Sequence, residues 1–490
     1  MMLVPDWLAY RAAATPSRPA LRHDRERWTF AELHRHAAAV AAWLQDAGAG
    51  DGKPVALLAW NSLRAGAAIH AVPRAGSVLV PLNARLTADE LAWQLRDSQS
   101  ALLLYDEANA DLARAAARAA AVPAFPLPDP ASLPQRPLEP ADLRLDAPHS
   151  IIYTSGTTGR PKGVVLTFGN HLWSAVGSAL NLGLRADDAW LACLPFFHVG
   201  GLSILLRGVL YGMEVSVHER FDAQRVNEEI DRGGITLISV VATMLRRMLD
   251  ARRDAPFPAS LRCILTGGGP VPRDLLERCA RIGAPVVQTY GLTEAASQVC
   301  TLAPEDALRK LGAAGKPIFP TQVRITEDSG ASCPPGVPGE ILVRGPTVMA
   351  GYHRNPEATA QKVRGGWLAT GDIGYLDEEG YLYVLDRRED LIVTGGENVA
   401  PAEIEGVLRE HPAVADAAAV GIPDPEWGQA VVAAVELRPG AHLTPAELLA
   451  FARARLAAFK CPREIRIVTE LPKTASGKVV RRLLREQWRS

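Results

Sequence analysis

The chain has 490 residues, 48% of them hydrophobic and 22% charged, and its 53 basic and 54 acidic side chains leave a formal net charge of -1. That composition fits a globular enzyme with a sizeable core and excludes a disordered chain or a strongly basic nucleic-acid binder. Six scattered cysteines with no Cys-x-x-Cys pair exclude a zinc finger by spacing and read as buried reduced thiols, which predicts a cytoplasmic protein. The first residues lack a basic region followed by an apolar run, so no signal peptide is expected. Arg207 interrupts the longest apolar stretch, 202–213, before it reaches membrane-spanning length.

Over 1–120, helical patterns rich in Ala and Arg alternate with short apolar runs. Thr29 and Glu32 form a capping box that opens a helix, 55–59 and 78–83 read as buried strands, and 86–91 opens another capped helix. Such alternation predicts a mostly parallel sheet with helices on its faces. Eight prolines within 121–149 mark an irregular connection. Ile151, Ile152 and Tyr153 then lead into Thr154-Ser155-Gly156-Thr157-Thr158-Gly159-Arg160-Pro161-Lys162-Gly163, and Val164, Val165 and Leu166 lead out. The loop has the composition of a phosphate cradle: glycines admit backbone N–H groups to an anion, four hydroxyls add donors, and Arg160 and Lys162 add charge. It lacks the Gly-Lys-Ser/Thr ending of a Walker loop, and on composition alone a solvated surface loop is an equal alternative.

Residues 190–198 read as an apolar strand ending in His198 and followed by Val199-Gly200-Gly201. Two more strands, 235–241 and 261–266, follow, and the second runs into Gly267-Gly268-Gly269-Pro270, where a flat ring could pack on bare backbone. The stretch 286–294 ends in Thr289-Tyr290-Gly291-Leu292-Thr293-Glu294. A carboxylate beside a triphosphate needs a cation between them, so Glu294 predicts Mg²⁺ wherever a nucleotide binds. Short alternating strands with Gly-rich turns over 322–385 predict a small distorted barrel that contains Trp367-Leu368-Ala369-Thr370-Gly371-Asp372. A charge cluster at 386–390, the turn Gly395-Gly396-Glu397 and Lys473-Thr474-Ala475-Ser476-Gly477-Lys478 complete the inventory.

The string 155–163 resembles the signature of the adenylate-forming superfamily, which includes acyl-CoA synthetases, the adenylation domains of peptide synthetases and firefly luciferase. The downstream motifs recur in that family's order. The resemblance implies an α/β protein with a large N-terminal domain of stacked mixed sheets, helices and the small barrel, over 1–386. A small mobile α+β C-terminal domain follows over 387–490 and pivots near Glu389, where the family usually has Asp or Lys. ATP, Mg²⁺ and coenzyme A are the implied ligands. By the same resemblance, Thr154 to Gly159 and Lys162 hold phosphates, Gly268, Gly269, Pro270, Thr289, Tyr290 and Gly291 surround the adenylate, and Asp372 and Arg387 bind the ribose. Thr293 donates to the α-phosphate, Glu294 and Thr158 serve the metal, Gly396 and Glu397 line the thiol's path, His198 faces the acid and Lys478 is the catalytic lysine.

Further strings, at 167–171, 178–183, 198–203, 211–213, 218–221, 294–302 and 311–317, resemble one branch of that family, whose acid carries an aromatic ring, a ketone and a second carboxylate. Such an acid needs a largely apolar slot with hydroxyl, amide or cationic partners at its far end. His198, Ser203, Ser239, Gly267, Gly268, Thr289, Gly291, Ser297 and Gln298 are the candidates. Ser203, Ser239, Thr289, Ser297 and Gln298 read equally well as structural polar residues with local partners. Another aryl or medium-chain acid, a carrier-protein thiol in place of CoA, and a non-catalytic nucleotide sensor are the alternatives. No nucleic-acid partner or membrane insertion is expected, and homo-oligomerisation is left open.

Overall fold

The computed structural model describes residues 2–136, 141–154, 161–269, 271–327, 329–387, 391–472 and 479–488. Ser155, Gly156, Thr157, Thr158, Gly159, Pro270, Glu389 and Lys478 lie outside the described residues, as does the side chain of Arg387. The chain forms two compact units: Met1–Ala84 with Leu91–Ile152 and Gly163–Leu385, and Arg85–Glu90 with Tyr153–Lys162 and Asp386–Ser490.

In the larger unit the elements that matter for the site are β1 (Lys162–Thr167), α1 (Phe168–Leu182), β2 (Ala189–Ala192), α2 (Val199–Tyr211), β3 (Leu237–Val241), β4 (Cys263–Gly267), β5 (Val286–Leu292), β6 (Ser297–Leu302), β7 (Gly351–Tyr352) and β8 (Trp367–Leu376). One seven-stranded sheet runs in the order β7, β1, Pro148–Thr154, Val78–Pro81, Pro54–Leu58, Leu102–Tyr105, Ala124–Pro126. Val55 pairs in parallel with both Leu79 and Leu102, and the side chains on both faces of these strands are buried. Burial on both faces explains why they read as unbroken apolar runs. Thr29 and Glu32 form the expected capping box of helix Phe30–Asp46.

The second sheet has fourteen strands. At its centre β2, β3, β4 and β5 lie in parallel, with Leu191 opposite Ile238, Ile238 opposite Ile264 and Ile264 opposite Val286. The direction reverses between β5 and β6. The barrel expected over 322–385 takes the form of a run of neighbouring strands, Gln322–Thr326, Gly339–Arg344, β8 and Leu382–Arg387, the first three antiparallel, that continues through Ala313–Pro317 into β6.

One expected element is shorter than its apolar pattern. The strand read over 190–198 stops at Ala192, and His198 is instead the residue before α2. Pro195 cannot donate to a sheet ladder. Asn61 supplies the missing bonds: its amide nitrogen donates to Leu194 O (2.9 Å) and His218 O (3.1 Å), and its oxygen accepts from Phe196 N (2.9 Å). Gly201 lets α2 begin against this loop, because a Cβ there would lie 2.1 Å from Pro195 O.

The smaller unit has its own core, in which Ile392, Val399, Ile404 and Leu408 pack on the three-stranded sheet of Val414–Asp424, Gly428–Leu437 and Glu464–Val468. Gly395 and Gly396, at φ 57° and 85°, make the tight turn between Ile392–Thr394 and Glu397–Val399. Both residues adopt a conformation that few side chains tolerate. Within this unit Glu397 is buried and bonds Arg85 (2.6 Å), while Lys460 joins Glu90 and Glu403 at 2.6 Å each.

Candidate active site

The larger unit gathers its nucleotide candidates around the end of β5. The Tyr290 hydroxyl donates to Asp372 Oδ2 at 2.6 Å, so the candidates for the adenine and the ribose, 82 positions apart, meet in the fold. Asp372 is buried on β8, and its backbone N–H donates to the Thr370 hydroxyl at 3.1 Å. Just beyond β5, Thr293 opens a short 3-10 turn that carries Glu294, whose carboxylate Oε1 accepts from the Tyr352 hydroxyl at 3.0 Å.

Strained backbone shapes the turn between β5 and β6. Ala296 and Ser297 have φ of 52° and 101°, and the strand register slips between Tyr290 and Gly291. A Cβ on Gly291 would lie 1.8 Å from Ser297 O, so only glycine permits this crossing. Conformations of this kind persist where surrounding structure over-determines them, and they concentrate at functional sites. At the end of β4, Cβ atoms added to Gly267 and Gly268 would meet Thr289 on β5 and Val241 on β3 at 3.1 and 3.2 Å.

Local partners already engage several of the proposed acid-pocket residues. The Ser203 hydroxyl donates to Gly200 O (3.0 Å), Thr289 donates to Cys300 O (2.9 Å), and Ser239 accepts from the Trp190 indole (3.1 Å). Gln298 differs: it is 2% exposed, and among the described residues neither of its amide atoms has a hydrogen-bond partner. The His198 ring meets Phe197 edge-on at 4.8 Å, Phe197 meets Trp60 at 5.9 Å, and Arg220 lies over Trp60 at 4.1 Å.

Three residues of this neighbourhood escaped the functional reading of the sequence. Asn61 shapes the loop before His198, and Tyr352 holds Glu294. The third, Arg207, is 2% exposed and pairs with no carboxylate among the described residues. Its Nη2 donates to Ser174 Oγ (3.2 Å), which donates to Ala296 O (2.6 Å); its guanidinium lies 5.7 Å from the Trp190 ring, and its Nε has no hydrogen-bond partner among the described residues. Burial lowers its pKa from the usual arginine value. A faint sequence signal existed: Arg207 is the one charge in an apolar helix, four residues after Ser203 and so on the same face.

A family model described as AMP-binding enzyme matches residues 8–353, and one described as AMP-binding enzyme C-terminal domain matches 403–478. The chain is 50% identical over 488 residues to the 2-succinylbenzoate–CoA ligase of Geobacillus kaustophilus (strain HTA426), covering 99% of this chain and 98% of the relative. The chain belongs to the 2-succinylbenzoate–CoA ligase family of AMP-binding enzymes. Two solved structures of o-succinylbenzoate CoA synthetase from Bacillus subtilis are 42% identical to it. A double mutant bound with the product analogue OSB-NCoA superposes with a TM-score of 0.93, covering 99% of each chain. The complex with ATP and magnesium ion superposes at 0.77, covering 100% of each chain.

The donor set fits a magnesium ion that arrives on a nucleotide. Among the described residues no group of three or more His, Cys, Asp or Glu side chains could hold a metal unaided. Mg²⁺ on a triphosphate takes only one or two protein carboxylates, and Glu294 offers one. Among the described residues no helix is long and apolar enough to cross a membrane.

Proposed function

We propose that this protein activates 2-succinylbenzoate with ATP and passes the acyl group to coenzyme A, the ligation expected of it in menaquinone synthesis. An acid carboxylate oxygen attacks the α-phosphorus of ATP and pyrophosphate leaves. The CoA thiolate then attacks the acyl carbonyl and AMP leaves as the thioester forms. The observation that supports this reading is the pair of bonds at the end of β5, Tyr290 to Asp372 and Tyr352 to Glu294, since the residues proposed for the nucleoside and for the phosphate side then lie four positions apart on one turn.

Mutual repulsion between carboxylate and polyphosphate is the barrier. Magnesium, when bound, neutralises the phosphate oxygens. The protein's own contribution in this reading is a set of donors: the loop from Thr154 to Lys162, Thr293 at the α-phosphate, and Lys478 between the two reacting anions. One such donor typically contributes about 3 kcal/mol to the barrier. In this reading residues 1–386 hold nucleotide and acid, 387–490 carry Lys478, and Arg387, Gly396 and Glu397 serve the ribose and the thiol's approach. Arg207 offers positive charge for the ring carboxylate, the feature that separates this acid from simpler ones.

The test separates the half-reactions. Lys478→Ala should abolish adenylate formation, read as ATP–pyrophosphate exchange, and should spare thioester formation from supplied 2-succinylbenzoyl adenylate. Equal damage to both would contradict the role. Faster turnover of benzoate or octanoate than of 2-succinylbenzoate would overturn the choice of acid.

A further inference from the structure

Met349 to His353 grip two parts of the site at once. Met349 N donates to Glu294 O (2.8 Å) and the Tyr352 hydroxyl donates to Glu294 Oε1 (3.0 Å), so both the backbone and the carboxylate of Glu294 are held by one short segment. The residues between and beside them bind the strand that leaves the phosphate loop: Ala350 N donates to Val165 O (3.0 Å), His353 N donates to Gly163 O (2.7 Å), and Tyr352 sits opposite Val164 in the antiparallel pairing of β7 with β1. The segment is itself fixed. Tyr352 is 7% exposed and its N–H donates to Thr359 Oγ1 (2.9 Å), while Gly351, at φ 150°, leaves no room for a Cβ, which would meet Thr359 at 2.8 Å.

From this geometry we infer that Tyr352 is a positioning residue for magnesium: its hydroxyl fixes the Glu294 carboxylate through Oε1 so that Oε2 is presented to the ion that accompanies ATP. The inference rests on the reading of Glu294 as the metal's protein ligand. A carboxylate on a freely rotating side chain loses entropy when it captures a metal, whereas one already held by a neutral donor keeps its full charge and loses less. A phenol suits this task, since a lysine or arginine at the same place would neutralise the charge the metal needs. Removing an outer-shell partner of this kind typically weakens metal binding about 10- to 100-fold.

The variant Tyr352→Phe deletes one oxygen and keeps the buried ring. Mn²⁺ titrated into the enzyme–ATP complex without acid and followed by electron paramagnetic resonance should bind about tenfold more weakly. The Mg²⁺ activation curve of ATP–pyrophosphate exchange should move by the same factor and recover at saturating Mg²⁺. Thioester formation from supplied 2-succinylbenzoyl adenylate, which uses no ATP, should be unchanged. Unaltered Mn²⁺ binding, or a loss of exchange that magnesium does not restore, overturns the proposal. Glu294→Gln is the companion arm. Weaker Mn²⁺ binding there but not in Tyr352→Phe sinks the positioning role alone, whereas unchanged binding in both sinks the metal role of Glu294 as well.

Discussion

Replacing Arg207 with methionine should make the protein no less stable while making it a much poorer enzyme for its own acid. A guanidinium taken fully from water costs about 5 kcal/mol after relaxation. The bond to Ser174 returns about 2 kcal/mol and the Trp190 ring about 1 kcal/mol, which leaves about 2 kcal/mol uncompensated while the pocket is empty. Arg207→Met keeps the length of the side chain and removes that deficit, so its melting temperature should equal or exceed the parent's. The ring carboxylate of 2-succinylbenzoate would then lose its proposed buried cationic partner. Losing one partner of a buried charge pair costs about 2–5 kcal/mol in binding, so kcat/KM should fall at least about 30-fold. The control substrate is 4-oxo-4-phenylbutanoate, the same keto acid without the ring carboxylate. Pyrophosphate release with that acid should hold or improve. Equal losses on both acids, or a variant that melts well below the parent, would refute the electrostatic reasoning and make Arg207 a packing residue.

Gly291→Ala forces a Cβ against Ser297 O, where only 1.8 Å is available, and so must displace the strained turn after β5. Misplacement by about 1 Å can cost on the order of 100-fold, so ATP–pyrophosphate exchange should fall by that factor; near-parental exchange would show that the turn is not part of the site. Acid should also unfold the protein through its buried histidines. Burial, with Arg74 adding its repulsion, holds His70 at about 4 against 6.5 in the unfolded chain, and burial beside Arg207 holds His171 at about 3. The unfolded chain takes up these protons first. Stability is therefore complete above pH 6.5 and falls as pH drops toward 4, by about 1.4 kcal/mol per pH unit for each histidine. Urea midpoints across that range should show the slope, and His70→Gln should reduce it by one proton's worth; an unchanged slope would mean that His70 is charged in the fold.

The sequence by itself determined the local structure and the chemical inventory. Thr29 and Glu32 make their capping box from residues three apart, and 54–58 and 78–81 are strands because unbroken apolar runs of that length bury both faces. Tyr290, Glu294 and Asp372 could be proposed from the sequence because a motif keeps its chemistry in one short string. Only the tertiary structure decided which residues act together. Nothing read in the sequence pointed to Asn61, which in the fold bonds Leu194, Phe196 and His218, more than 130 positions away, and the apolar pattern through 190–198 hid the break its amide bridges. Arg207 looked like an interruption that ruled out a membrane span, and in the fold it is a buried cation linked through Ser174 to Ala296, next in sequence to the candidates Ser297 and Gln298. Nothing read in the sequence pointed to Tyr352 either, and only the pairing of β7 with β1 brought its hydroxyl to Glu294. Periodicity reports which face of an element is buried, but the partner waiting on that face is set by chain crossings that no local pattern encodes.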